Sequence, residues 1–276
     1  MKKIIALALA LTLALAMTAC GKTNVENTDP AANVTAPTED ETAATTTAPD
    51  SDIVPDDAAG EVLDGTGEDT GVVEVSAMTY AEYAAAELDA PVSVLFTVQA
   101  TQSWWDNKIT VYGADKDGGY FVYNMVCSQE DAEKLVPGAT ILVNGFKTAW
   151  AGEVEINADA TFEFVDAESY ISSPVDATAL LGTDELIDLQ NQKVLFTDMT
   201  VSAVSYKNGE PGDDIYVNFT KDDAEYYFCL EYYLNGSDEE FYNMVGNLEV
   251  GQVCDVEGFL YWYEGANPHI TKVTLK

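Results

Sequence analysis

The chain has 276 residues, with 48 acidic side chains against 12 basic ones and a formal net charge of −36. Every basic residue is a lysine, so no arginine fork can grip phosphate or guanine, and the composition argues against nucleic acid and anionic headgroups as partners. Acidity of this kind also keeps an exported protein soluble without any ligand.

Met1-Lys2-Lys3 precedes an apolar run from Ile4 to Met17. Two lysines, a run of about 14 apolar residues and a small residue before the break make a secretory signal, too short to span a bilayer. Met17-Thr18-Ala19-Cys20 resembles the lipobox of bacterial lipoproteins, with methionine where leucine is usual. The resemblance implies removal of residues 1–19, lipidation of Cys20 and a site on the outer face of the cell membrane, reached through the anchor alone. Residues 21–75 hold no Phe, Trp or Tyr and are rich in Thr, Ala, Asp, Glu, Pro and Gly. Such a segment cannot bury enough apolar surface to offset its ordering entropy, so 20–75 reads as a lipidated cysteine and a disordered acidic tether. As a coil it spans roughly 40 Å, and about 180 Å drawn straight.

From Tyr80 the composition turns to aromatics, Val and Ile. Thr79-Tyr80-Ala81-Glu82 is a capping-box pattern opening a short helix. Val92–Thr101, Ile109–Ala114 and Tyr120–Val126 read as strands, 128–136 as a helical stretch, and Thr140–Lys147 and Val154–Phe164 as two more strands around a loop at 148–153. Three strands, a helix and two strands are the order of an OB barrel. The plan repeats, with a short helix at 183–189, strands near 193–205, 214–220, 225–233, 252–262 and 268–275, and a helix near 237–247. Two stretches carry the repeat: Val-Leu-Phe-Thr at 94–97 and 194–197, and 136–152 over 249–265, which matches Gly138 to Gly251, Val143 to Val256, Gly145 to Gly258, Phe146 to Phe259 and Gly152 to Gly265 without a gap. The expected fold is all-β with short helices, as two tandem OB-like five-stranded barrels, 76–167 and 168–276, after the tether.

The run from Thr79 through Ser103-Trp104-Trp105-Asp106-Asn107-Lys108 and Gly152-Glu153-Val154 resembles poorly characterised OB-fold lipoproteins of Gram-positive gut-type bacteria. That resemblance implies fold and location and brings no catalytic residues. Apart from Cys20 there are three cysteines, Cys127, Cys229 and Cys254. The odd number points to buried free thiols, with a Cys229–Cys254 bridge as the alternative.

Chemistry has few places to sit. His269 is the sole histidine and falls in the last strand, where a structural imidazole is expected. No nucleophile elbow, P-loop or zinc helix occurs, and no cofactor or metal is called for. Asp115-Lys116-Asp117-Gly118-Gly119 lacks the distal glutamate of a calcium loop and reads as a hairpin turn. The remaining candidates are aromatic. Trp104, Trp105 and Trp150, with Asp106 and Asn107 beside the first pair, fall on loops that flank the ligand face of an OB barrel, and Tyr261, Trp262 and Tyr263 are their second-repeat counterparts, with Tyr206 alongside. The sequence therefore predicts a non-catalytic binding module for a neutral or cationic glycan or small ligand stacked on these rings. The alternative reading of the tryptophan pair is a plug in the barrel mouth, and the alternative role is a scaffold presenting an acidic surface to a basic protein.

Overall fold

The computed structural model describes residues 77–276, so the signal segment, Cys20 and the tether lie outside the described residues. The first sheet holds β1 (Pro91–Thr101), β2 (Lys108–Ala114), β3 (Gly119–Val126), β4 (Thr140–Trp150), β5 (Glu153–Ile156) and β6 (Thr161–Phe164). β1, β2, β3, β5 and β4 are neighbours in that order, and β4 pairs back onto β1, which closes a five-stranded OB-like barrel. A single parallel step, Val122 opposite Ile156, joins β3 to β5, and β6 adds to the far side of β4. The short helices are α1 (Tyr80–Ala85) and α2 (Gln129–Ala132). The expected strand spanning 154–164 is broken, because β4 runs on through Trp150 and turns at once into β5.

α1 is fixed at both ends. Thr79 accepts from the Glu82 amide while Glu82 accepts from the Thr79 amide, the expected capping box. At the other end Lys147, reaching out of β4, donates Nζ to the carbonyls of Tyr83, Ala84 and Ala86 at 3.1, 2.8 and 2.8 Å. A cation at a helix C-terminus satisfies carbonyls that have no partner within the helix. The helix thereby seats Tyr83 in the core of Val94, Phe96, Val111, Val122, Ile141 and others.

The second sheet holds β7 (Val175–Asp176), β8 (Lys193–Tyr206), β9 (Ile215–Lys221), β10 (Ala224–Leu230), β11 (Val253–Phe259) and β12 (His269–Leu275), with α3 (Tyr232–Asn235) and α4 (Glu239–Gly246) between β10 and β11. Its order is β8, β9, β10, β12, β11, and β11 pairs back onto β8. Two 3-10 turns, Thr178–Leu180 and Asp184–Leu189, stand before it, the second where a helix is expected from the sequence. Residues 165–174 join the sheets as a strap along β1, where the Tyr170 amide donates to Thr97 Oγ1 and Gln99 holds both the Tyr170 carbonyl and the Ser172 amide.

Both copies of Val-Leu-Phe-Thr lie in the first strand of their sheet, but they are not structural equivalents. Gly145 faces Val92 and Gly258 faces Val194, so Val94 corresponds to Phe196. A register shift, with Asp198 at φ +52°, then inserts a residue into β8, and Phe96 corresponds to Met199. The tetrapeptides share inward alternation, offset by two. Their partners compensate: Phe96 lies against Gly113, where any Cβ would strike its ring, while Met199 lies beside Phe219, the counterpart of Gly113.

Phe196 is fully buried in the second core. Phe196→Ala should cost about 3–5 kcal/mol, read as a lower urea midpoint.

Candidate functional site

The chemistry of the described residues is concentrated where the two sheets meet. Period-2 alternation turns Tyr112 and Phe121 outward from β2 and β3, away from the first core. They are buried nonetheless, in a separate cluster with Phe259 of β11. Tyr112 stacks on Phe259 with centroids 4.6 Å apart, Phe121 meets Tyr261 edge-on at 5.3 Å, and Tyr261 stacks on His269 at 4.3 Å. Gln102 donates to the Tyr112 oxygen, leaving the phenolic hydrogen for His269 Nδ1 at 2.7 Å. Burial lowers the His269 pKa to about 3, so the imidazole is neutral and acts as a wedge between sheets.

Beside the aromatic seam runs a polar one. Glu153, at the start of β5, is fully buried and accepts at Oε2 from the Trp262 amide at 2.8 Å and from Gln190 Nε2 at 3.2 Å. Gln190 also donates to the Gly152 carbonyl, Asn191 Nδ2 to the Val154 carbonyl, and the Glu264 amide to the Ala151 carbonyl. Glu153 Oε1 has no partner. Desolvation outweighs the bonds at Oε2 and holds the carboxyl well above the usual range. Burial likewise raises Glu155 to about 7, and burial with the nearby Asp214 raises Glu231 to about 8. Gly152 lies at φ +95°, and a Cβ there would come within 2.6 Å of Trp262 Cδ1, so only glycine admits the indole.

The structure places the expected ligand residues in different roles. Trp104 packs against the first core and donates Nε1–H to the Cys127 carbonyl at 2.9 Å, closing the barrel mouth. Asp106 and Asn107, both at positive φ, form the two-residue turn between Trp105 and Lys108, which exchange backbone hydrogen bonds. Trp105 beside them is 75% exposed. Trp150 and Tyr263, expected as matching loop rings, stack on one another across the seam at 5.2 Å. Tyr261 and Trp262 are seam residues as described, and Tyr206 packs against the second core. The rings expected to hold a sugar hold the two sheets together instead. Asp115 spends its carboxylate on the Asp117 and Gly118 amides and the Tyr120 hydroxyl, as a hairpin turn requires. Cys127, Cys229 and Cys254 are free and buried.

One aromatic face escaped the sequence reading. The bulge at Val98/Ala100 opposite Gly113/Tyr112 corresponds to that at Val201/Ala203 opposite Phe219/Asn218, so Asn218 occupies the place of Tyr112 and Tyr227 that of Phe121. Tyr216 and Tyr227 stand outward from β9 and β10, 5.1 Å apart, with Tyr227 41% exposed. The signal was the outward alternation of tyrosines across a hairpin. It was passed over because tryptophans drew attention to the loops.

No family model and no curated protein matches the chain. Similar solved structures include a murine DNA-binding protein bound to double-stranded DNA (11% identity, 67% of this chain and 96% of that one, TM-score 0.35). Others are the tetrameric p202 HIN2 (13%, 69% and 96%, TM-score 0.31) and a replication protein A heterotrimer bound to single-stranded DNA (10%, 67% and 49%, TM-score 0.29). Two expectations are corrected. The exclusion of nucleic acid falls because structures similar to this chain include complexes with double- and single-stranded DNA. The glycan-binding function falls with it, since the rings assigned to it are consumed by the seam. At TM-scores near 0.3 the likeness transfers no ligand to this chain.

The seam carboxyls set a pH dependence. Unfolded glutamate titrates near ~4.3, so a folded pKa raised to about 7 or 8 gives stability that is complete below ~4.3 and is lost as pH rises through the folded value. His269 acts in the opposite sense, but only below its unfolded value near ~6.5. The melting temperature should therefore fall between about pH 6.5 and about pH 8.5, and Glu155→Gln with Glu231→Gln should flatten that slope in a calorimetric pH series.

Proposed function

We propose that the two sheets are tandem OB-like barrels joined into one rigid, non-catalytic recognition unit whose ligand face is the outer face of β9 and β10. One observation carries this reading. OB barrels bind on the face of their second and third strands. In the first barrel that face is filled by the second sheet, whereas in the second barrel it is bare and carries Tyr216 and Tyr227. A planar ring laid on such a surface gains stacking energy, roughly 1–3 kcal/mol per ring for nucleobases. The neutral, walled-in His269 and the buried thiols, whose pKa values burial raises, support a role without chemistry of its own.

Nile red, a neutral planar dye, is the probe. Its emission should rise on adding the protein, and Tyr216→Ser with Tyr227→Ser should abolish the rise while leaving the melting temperature within a few degrees. Emission unchanged by the double substitution would sink the assignment. Single-stranded oligothymidylate added as competitor decides whether the face takes bases. With a net charge of −36 its displacement of dye should grow with salt, opposite to the usual counterion-release slope.

The location rests on the sequence of residues 1–21 alone. Cys20 supports an anchored, extracytoplasmic chain, and Cys20→Ser should move the protein from the membrane fraction to the soluble fraction.

A further inference from the structure

The contact between the two barrels is heterologous. The first barrel contributes the outer face of β2–β3, with Tyr112 and Phe121, and the second contributes the outer face of β11, with Phe259. Because the barrels repeat, each half of this contact exists twice in the chain, and only one pair is used. The counterpart of Phe259 on the first barrel is Phe146, placed by the same pairing of β4 and β11 onto the first strand: Phe146 opposite Pro91, Phe259 opposite Lys193. Phe259 is 3% exposed and Phe146 48%. The counterpart of the Tyr112–Phe121 face is the Tyr216–Tyr227 face of the second barrel, also open. The molecule thus ends in two unused halves of an interface that it already makes internally.

We propose that the occupant of the β9–β10 face is a second copy of this chain, docked through its Phe146 face. A heterologous contact that does not close on itself propagates, so the product is an open head-to-tail chain of barrels. The internal pair shows the chemistry required, a ring on β4 or β11 set against rings of a second-and-third-strand face, as Phe259 sits on Tyr112 at 4.6 Å. The seam hydrogen bonds made by Gln190 and Asn191 belong to the linker and have no counterpart between copies, so the contact between copies is the weaker one. The charge of −36 on each copy opposes it, and salt should strengthen it by screening.

This inference rests on the reading of β9–β10 as the binding face, and the test separates the two. Sedimentation velocity is run on the full chain carrying Cys20→Ser, so that no acyl chain drives association. Species larger than a monomer should grow with protein concentration and with salt. Phe146→Asp alone and Tyr227→Asp alone should each be monomeric, both being exposed positions where melting and circular dichroism report an intact fold. Mixed in equal amounts they should form a dimer that grows no further, since each retains the half that the other lacks. A wild-type monomer at every salt and concentration, or association that survives Phe146→Asp, would overturn the proposal. Nile red binding that persists in that monomer would leave the face assignment standing and remove only the second copy as its occupant.

Discussion

Tyr112 and Phe121 point out of a barrel, and that constraint governs the structure. Two large rings on an outer strand face cannot be left in water without a cost of about 1.5–3 kcal/mol each. The second sheet covers them with Phe259 and Tyr261. Once that contact is made, much else is imposed. Glu153 is carried into the seam, where its carboxyl is buried with one oxygen unpaired. Gly152 must lack a side chain so that Trp262 can lie against it. Two sheets that could each stand as a small domain become one body of residues 69–276 by their internal contacts.

The strands were readable because inward residues alternate with outward ones and turn residues mark the breaks. Thr79 and Glu82 announced the first helix, and the matched glycines announced the repeat. The rest was hidden for physical reasons. Alternation says which side chains leave the core, but Tyr112 leaving one core gives no sign that Phe259, about 150 residues later, will meet it. Trp150 followed by Ala151 and Gly152 reads as a loop, yet pairing with β5 keeps it in a strand. A shared tetrapeptide suggests equivalence, and one inserted residue near Asp198 displaces it by two.

The repeat also shows how one framework takes on different duties. Phe146 and Phe259 hold the same place, one open and one sealed in a contact. Lys147 caps α1 with its ammonium, while its counterpart Leu260 is wholly buried and exchanges backbone hydrogen bonds with Asn191 and Gln192. Tyr112 reaches His269 across the seam, while Asn218 in the equivalent place is part-exposed. Each difference lies on the outer surface or the mouth, where packing against the core does not dictate the residue.

The three thiols are distributed in an informative way. Cys127 lies in the first core, Cys254 in the second, and Cys229 pairs with His269 beside the seam. Burial raises Cys127 and Cys254 to about 11, so in the folded protein neither is a ready thiolate. In an oxidising compartment this leaves them slow to form mixed disulfides while the barrels stay shut. The chain therefore carries its own clocks: the rate at which each sulfur reacts with a reagent in solution counts how often that part of the molecule opens, and three rates that agree would mean that both barrels and the seam come apart together.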